Sequence, residues 1–148
     1  MKNLDLPPVW LLLFVIIAWA MARLLPTPQF FPEVFSWVGG ALVLAGLLIS
    51  LWAVTTMMRA RTTPIPRRDP KTIVTSGPFA FSRNPIYLGD AMLLLGVVLW
   101  LQSWIALILV PIFIMLIERR YIIDEEKRLT SQFKQEFLAY CGKTRRWI

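Results

Sequence analysis

Two groups of side chains in this sequence are of a type and spacing that could do chemistry. The first lies in Gly77–Asp90 (GPFAFSRNPIYLGD), where two prolines, two glycines and three aromatics surround Arg83 and Asn84. Pro78 and Pro85 lack backbone donors and discourage helix at the residues before them. Thr75–Asn84 therefore reads as a turn-rich strap that passes into a helix at Pro85, with Asn84 as the N-cap. A helix start presents unpaired N–H groups and partial positive charge, so with Arg83 beside it this end suits an anionic or carbonyl group. Equally, it reads as a membrane-surface loop capping a transmembrane helix.

The second group is the pair Glu125-Glu126 on the charged segment Glu118–Tyr140. There Ile122, Leu129, Phe133, Phe137 and Tyr140 recur at helical spacing and form one apolar stripe. Glu126 falls within the stripe and Glu125 at its edge. A carboxylate on an inward face needs a partner, which is either a ligand or a salt bridge to the arginine-rich central loop.

The elements that must position these groups are unusually apolar. Of 148 residues, 57% are hydrophobic and seven are tryptophan, which points to an integral membrane protein. The net charge of +7 comes from basic residues just outside the apolar runs. Positive-inside topology and anionic headgroups account for that placement, and nucleic-acid binding is not expected. There is no histidine and a single cysteine, Cys141, so His-based triads, His-ligated metals and an intrachain disulfide are excluded. No metal is expected.

Four spans are expected, at 9–25, 34–57, 86–101 and 104–117, in a single domain covering 1–148. The N-terminus lacks a cleavable signal's pattern, so the first run reads as an anchor. In the second span Gly39, Gly40, Ala41, Ala45, Gly46 and Ser50 fall on one broad side, suited to a close helix neighbour. Gln102-Ser103 should turn the last two spans into a hairpin, with Trp100 and Trp104 at the far interface. Pro111 should kink the final span. The loop 58–85 carries Arg59, Arg61, Arg67, Arg68, Lys71 and Arg83 against Asp69 alone, and its Thr63-Pro-Ile-Pro-Arg stretch should lie extended. With the tail 118–148, that loop shares a side with both termini, and this side holds every basic residue except Arg23. That side is expected to be cytosolic. Gly142 should end the last helix, leaving Arg145, Arg146 and Trp147 as an interfacial tail.

The cytosolic face would thus gather a helix start, arginines and a glutamate pair, with Phe79, Phe81 and Tyr87 alongside. Such a site suits a polar, partly cationic molecule, with a lipid-like substrate arriving between helices. A molecule of the S-adenosylmethionine type fits, since sulfonium and ammonium groups suit carboxylates and aromatic faces, though these residues do not single it out. Methyl transfer asks mainly for alignment, so the lack of histidine is compatible with it.

Lys71–Gly89, with its GPFAFSRNPIYLG core, resembles the membrane methyltransferases that include isoprenylcysteine carboxyl methyltransferases and their phospholipid-methylating relatives. Their pattern reads roughly L-V-T-x-G-P-Y-x-x-x-R-H-P-x-Y-x-G. Glu125-Glu126-Lys-Arg-Leu129, followed by Phe133, Phe137 and Tyr140, resembles their E-E-x-x-L-x-x-x-F-G-x-x-Y-x-x-Y ending. The resemblance covers Lys71–Trp147, about half of the chain. It implies the fold of an all-α integral membrane protein and S-adenosylmethionine-dependent methylation of a lipophilic acceptor. It further implies cofactor binding by Lys71, Thr72, Ile73, Val74, Phe79, Asn84, Pro85, Ile86, Tyr87 and Glu125; the stripe argument adds Glu126. In the family an arginine shortly before the glutamate faces the acceptor, and Arg120 is the candidate here. Three positions depart from the pattern: Asn84 stands for a histidine, Phe79 for a tyrosine and Lys134 for a glycine. Asn84 can still hydrogen-bond but cannot titrate near neutrality.

Other readings stay open at this point. A nicotinamide-dependent membrane reductase of the sterol-reductase type shares a similar Arg-x-Pro-x-Tyr loop. A non-catalytic four-helix scaffold or a transporter would also fit the hydropathy. For transport an intramembrane charge is the usual mark, and Asp90 is the closest case.

Overall fold

The computed structural model describes residues 6–25, 32–63 and 72–148. All regular structure among these is helical: α1 (Pro7–Leu24), α2 (Val34–Arg59), α3 (Pro85–Trp100), α4 (Leu109–Ile117) and α5 (Ile123–Lys143). A 3-10 turn at Gly77–Ala80 precedes α3, another at Ile105–Ile108 leads into α4, and a π turn at Glu118–Ile122 joins α4 to α5. Lys71 and the Pro64–Arg67 part of the extended stretch lie outside the described residues.

Prolines set the starts of α1 and α3, where a missing N–H costs no hydrogen bond. α1 and α2 are long and apolar enough to cross a membrane. α3, a largely apolar helix of 16 residues, and the stretch Ile105–Ile117 stand where the hairpin was expected. The expectation of four spans therefore narrows to two helices of full spanning length and two shorter apolar segments. The hairpin turn falls at Gln102, with φ of 53°, whose side-chain amide donates to Ser36 Oγ at 2.8 Å. At Pro111 the expected irregularity takes the form of the 3-10 turn immediately before it.

α2 and α3 pack antiparallel with almost no side chain between them. A Cβ built on Gly39 would lie 2.5 Å from the Gly96 carbonyl oxygen, and one on Gly46 would lie 2.5 Å from that of Gly89. The two contacts are a heptad apart on both helices, so they define one close seam. Ser50 extends it by donating to the Ile86 carbonyl at 3.3 Å. Gly40 does not belong to the seam, because the space around it is open.

The third side is closed by α1 and α4. Phe14 meets Phe113 edge-on at 5.3 Å, above a buried column of Leu94, Val98, Ile117, Tyr121 and Ile122. By contrast, Leu12, Trp19, Leu44, Leu48 and Leu51 are exposed. That is the pattern of a bundle whose outside meets hydrocarbon.

α5 is not one straight helix. Lys134 has φ 41° and ψ −109°, which breaks it into two segments. This is the position where the resembling proteins carry glycine, and a side chain there costs about 1–3 kcal/mol of backbone strain. Lys134→Gly is therefore expected to raise the thermal midpoint in detergent, by the equivalent of about 1 kcal/mol. An unchanged or lowered midpoint would mean that the break is held by something other than backbone geometry. The helix also runs through Gly142 to Lys143 rather than ending at the glycine. Its end is set by Thr144, whose N–H bonds the Tyr140 carbonyl at 3.0 Å and whose hydroxyl reaches the Ala80 carbonyl at 3.4 Å.

Candidate functional site

The strap before α3 is pinned from both sides. Gly77, at φ 62°, packs against Trp52 and Thr56 of α2, which leaves little room for a Cβ. Phe79 is buried, and its carbonyl accepts a 2.6 Å hydrogen bond from the Tyr140 hydroxyl. Burial pushes that hydroxyl up to about 12, with the Arg83 charge pulling the other way, so it remains a donor at neutral pH. Ser82 Oγ accepts from the Asn84 N–H at 3.1 Å and donates to the Arg146 carbonyl at 3.3 Å.

Asn84 occupies the N-cap position of α3, but its side chain makes no cap. Its amide donates to the Arg146 carbonyl at 3.0 Å instead. The first turn of α3 is thus left without a side-chain cap.

The tail itself corrects the expectation of an interfacial anchor. The Arg145 carbonyl accepts from the Arg83 N–H at 3.0 Å, and the Arg146 guanidinium enters the site. Arg146 Nη2 lies 2.6 Å from Glu126 Oε2 and Nε 3.1 Å from Oε1, while Nη1 pairs with Glu118. Arg83 Nη2 adds a further bond to Glu126 Oε1 at 3.0 Å. The hydrogen bonds that Arg146 donates to Glu126 raise its pKa above the ordinary value. Of the two roles left open for Glu126, the ion pair with the central loop is therefore present, doubled by the tail. Glu125 has a different surrounding: one oxygen accepts the Tyr87 hydroxyl at 2.8 Å.

Phe79, Arg83, Tyr87, Glu125, Glu126 and Tyr140 border one cavity of about 500 Å³, while Arg146 stands behind Glu126 and does not line it. Thr72, Ile73 and Val74 line it from the segment before the strap, Phe79 from the strap, Asn84, Pro85, Ile86 and Tyr87 from the start of α3, and Glu125 and Glu126 from α5. Ten of the residues singled out as cofactor-binding are thus brought together, and Lys71 lies outside the described residues. Arg120 is not among the lining residues. Its guanidinium sits 5.4 Å from the Trp10 ring centroid of α1. Five residues before Glu125, it falls on another face of the helical run.

Sequence reasoning missed two contributors. Arg146 had no local signal, since any of several basic residues could have met the glutamates. Asp90 did have one, as the lone acid in an apolar run, and it lines the cavity, whereas Arg146 acts through Glu126. The opposite wall comes from Leu6, Pro7 and Pro8 of the α1 end and from Val54 and Met57 of α2.

Residues 34–136 match the phospholipid methyltransferase family. The chain belongs to that family. The matched region runs from α2 into α5 and contains every one of the ten lining residues named above, so the cavity of this phospholipid methyltransferase family member is built mainly from the shared part. The α1 wall and the Arg145–Trp147 tail are outside it. An uncharacterised protein of Haemophilus influenzae is 40% identical over 63 residues, which is 43% of this chain and all of that protein. No solved structure matches the chain.

Proposed function

We propose that this phospholipid methyltransferase family member is a multi-pass membrane enzyme that transfers a methyl group from S-adenosylmethionine to a lipophilic acceptor at the cytosolic face. The observation that carries this reading is the single cavity in which Phe79, Asn84–Tyr87 and Glu125 meet beside the apolar ends of α1 and α2. Its volume of about 500 Å³ falls in the range of small-molecule sites.

The residues present suit that cofactor in three respects. Glu125, oriented by the Tyr87 hydroxyl, offers a carboxylate to an ammonium or sulfonium group. The uncapped first turn of α3 offers N–H groups to a carboxylate. Beside it, Arg83 Nε is a buried donor with no hydrogen-bond partner among the described residues. Val74, Phe79 and Phe137 supply apolar surface for an adenine.

When bound, S-adenosylmethionine supplies an electrophilic methyl group. The chain's own task is then to bind, align and keep water away. The Glu126–Arg83–Arg146 pairs fix the strap against α5, and Tyr87 fixes Glu125. Val54, Met57 and the α1 end offer a non-polar approach for an acceptor's hydrocarbon chain. Arg120, outside the cavity, has no part in this reading.

The test is incubation of the purified protein in lipid nanodiscs with methyl-labelled S-adenosylmethionine and amphiphiles bearing a carboxylate, an amine or a thiol. Label is expected in an organic-phase product of at least one class. Folded protein that labels none of them, or that binds a reduced nicotinamide cofactor instead, would overturn the reading.

A further inference from the structure

On the strap, the second half of α5 and the tail, three large apolar side chains stand open: Phe81 at 73% exposure, Leu138 at 55% and Ile148 at 76%. The exposed leucines and tryptophans of α1 and α2 belong to helices long and apolar enough to meet hydrocarbon, but these three do not. They sit on one layer. The Thr144 hydroxyl reaches the Ala80 carbonyl, while the Arg145 carbonyl accepts from Arg83 and the Arg146 carbonyl from Ser82 and Asn84. Phe81 therefore lies beside the tail that carries Ile148, and Leu138 is on the turn of α5 that Tyr140 ties to the Phe79 carbonyl. The layer stands at the level of the last turns of α2, because Gly77 packs on Trp52 and Thr56 of a helix that ends at Arg59.

The charges on this layer are one-sided. Residues 134–148 carry Lys134, Lys143, Arg145 and Arg146 against Glu136 alone. The Arg146 guanidinium is turned inward to Glu118 and Glu126, and the Trp147 indole N–H points to Glu118 at 3.4 Å. That leaves Lys134, Lys143 and Arg145 on the outside, exposed, and among the described residues none of the three is in an ion pair.

We propose that this layer docks on the anionic headgroup surface of the bilayer that α1 and α2 enter, with Phe81, Leu138 and Ile148 inserted and Lys134, Lys143 and Arg145 among the headgroups. The membrane location rests on the function proposed above; the docking surface rests on the exposed residues. Apolar side chains interleaved with unpaired cations are what a surface-lying element needs, the first for the acyl boundary and the second for anionic lipid. A second copy of the chain is a poorer occupant, because a symmetric contact would gather the same unpaired cations on both sides of one interface. The strap also carries Phe79 of the cavity wall, so docking holds that wall at headgroup level.

The test removes the one native thiol with Cys141→Ser and places a nitroxide label at Leu138→Cys, at Phe81→Cys or, on the exposed side of α2, at Leu44→Cys. Electron spin resonance in phosphatidylcholine nanodiscs, with and without phosphatidylglycerol, compares collisions with oxygen, which concentrates in the bilayer, and with a water-soluble nickel chelate. Labels at 138 and 81 are expected to lose nickel contact and gain oxygen contact when phosphatidylglycerol is present. Arg145→Gln should lower the docked-to-lifted ratio about fivefold. Labels that stay open to nickel, labels shielded equally in both lipids, or an unchanged ratio in Arg145→Gln overturn the proposal. So does spin–spin broadening, which would mean that a second copy covers the layer instead. The label at 44 separates the two readings: shielding at 44 with an open label at 138 sinks the docking alone, whereas a label at 44 open to nickel sinks the membrane placement as well.

Discussion

Gly46→Val is expected to disrupt the folded bundle, whereas Gly40→Val should leave it intact. A Cβ at position 46 would stand 2.5 Å from the Gly89 carbonyl oxygen and 3.0 Å from the Leu93 nitrogen. Both are helix backbone and cannot rotate aside, so α2 and α3 must separate along the seam. Overpacking a core costs about 1–3 kcal/mol when side chains can yield, and here none can, so the expected loss is at or above the top of that range. The separation would also pull the start of α3 away from α2, which forms part of the cavity wall. Gly40 has nothing within 4 Å of its Cβ direction, so the same substitution there is a matched control. Yield of monodisperse protein and thermal denaturation in detergent report both. A Gly46→Val protein that melts with wild type would mean that the seam does not hold the bundle.

Arg146→Ala should loosen the site while the bundle of α1 to α4 stays folded. The guanidinium joins Glu118 and Glu126, and its side chain is 34% exposed against 30% and 19% for the two acids. Such half-exposed pairs lie between the surface and buried cases, so the expected loss is about 1–2 kcal/mol. Arg146→Lys should recover only part of it, because an ammonium keeps the charge but not the two-pronged contact with Glu126. The informative readout is ligand affinity rather than melting: the strap that carries Asn84 is tied to the same tail through the Arg145 and Arg146 carbonyls. Weaker S-adenosylmethionine binding in the order wild type, Arg146→Lys, Arg146→Ala is expected. Identical affinities would show the tail to be an ornament of the fold.

Much of the architecture was legible in the residues because the signals were local. Prolines at 7, 8 and 85 mark helix starts, unbroken apolar runs mark the long helices, and Gln102-Ser103 marks the turn. Gly39, Gly46 and Ser50 predict a close helix neighbour from their spacing alone, and α3 is that neighbour. The convergence of Phe79, Asn84–Tyr87 and Glu125 on one cavity was foreshadowed by the two motifs, through resemblance rather than physics.

What escaped was non-local. Helical periodicity favoured Glu126 as the inward acid, but it could not say that Arg146, 20 residues on, would fold back onto it. Asn84 has the right type for a cap, yet a tail carbonyl took its amide. Lys134 gives no sign in composition of a positive φ; only the glycine at that place in the resembling proteins hints at it. Arg120 was placed by counting back from Glu125, and counting does not show that Trp10 of α1 lies opposite it.

In the function proposed above, Glu125, held by Tyr87, binds the positive end of S-adenosylmethionine in this cavity. The most direct test of that role is calorimetric titration of S-adenosylmethionine into wild type and Glu125→Gln in detergent. The substitution keeps the shape and the bond from Tyr87 but removes the charge. Wild type should bind, and Glu125→Gln should bind more weakly by about 1.5–3 kcal/mol, or about ten- to a hundredfold in Kd. Folded wild type that gives no binding heat, or a Glu125→Gln protein that binds equally well, would rule out that role for Glu125.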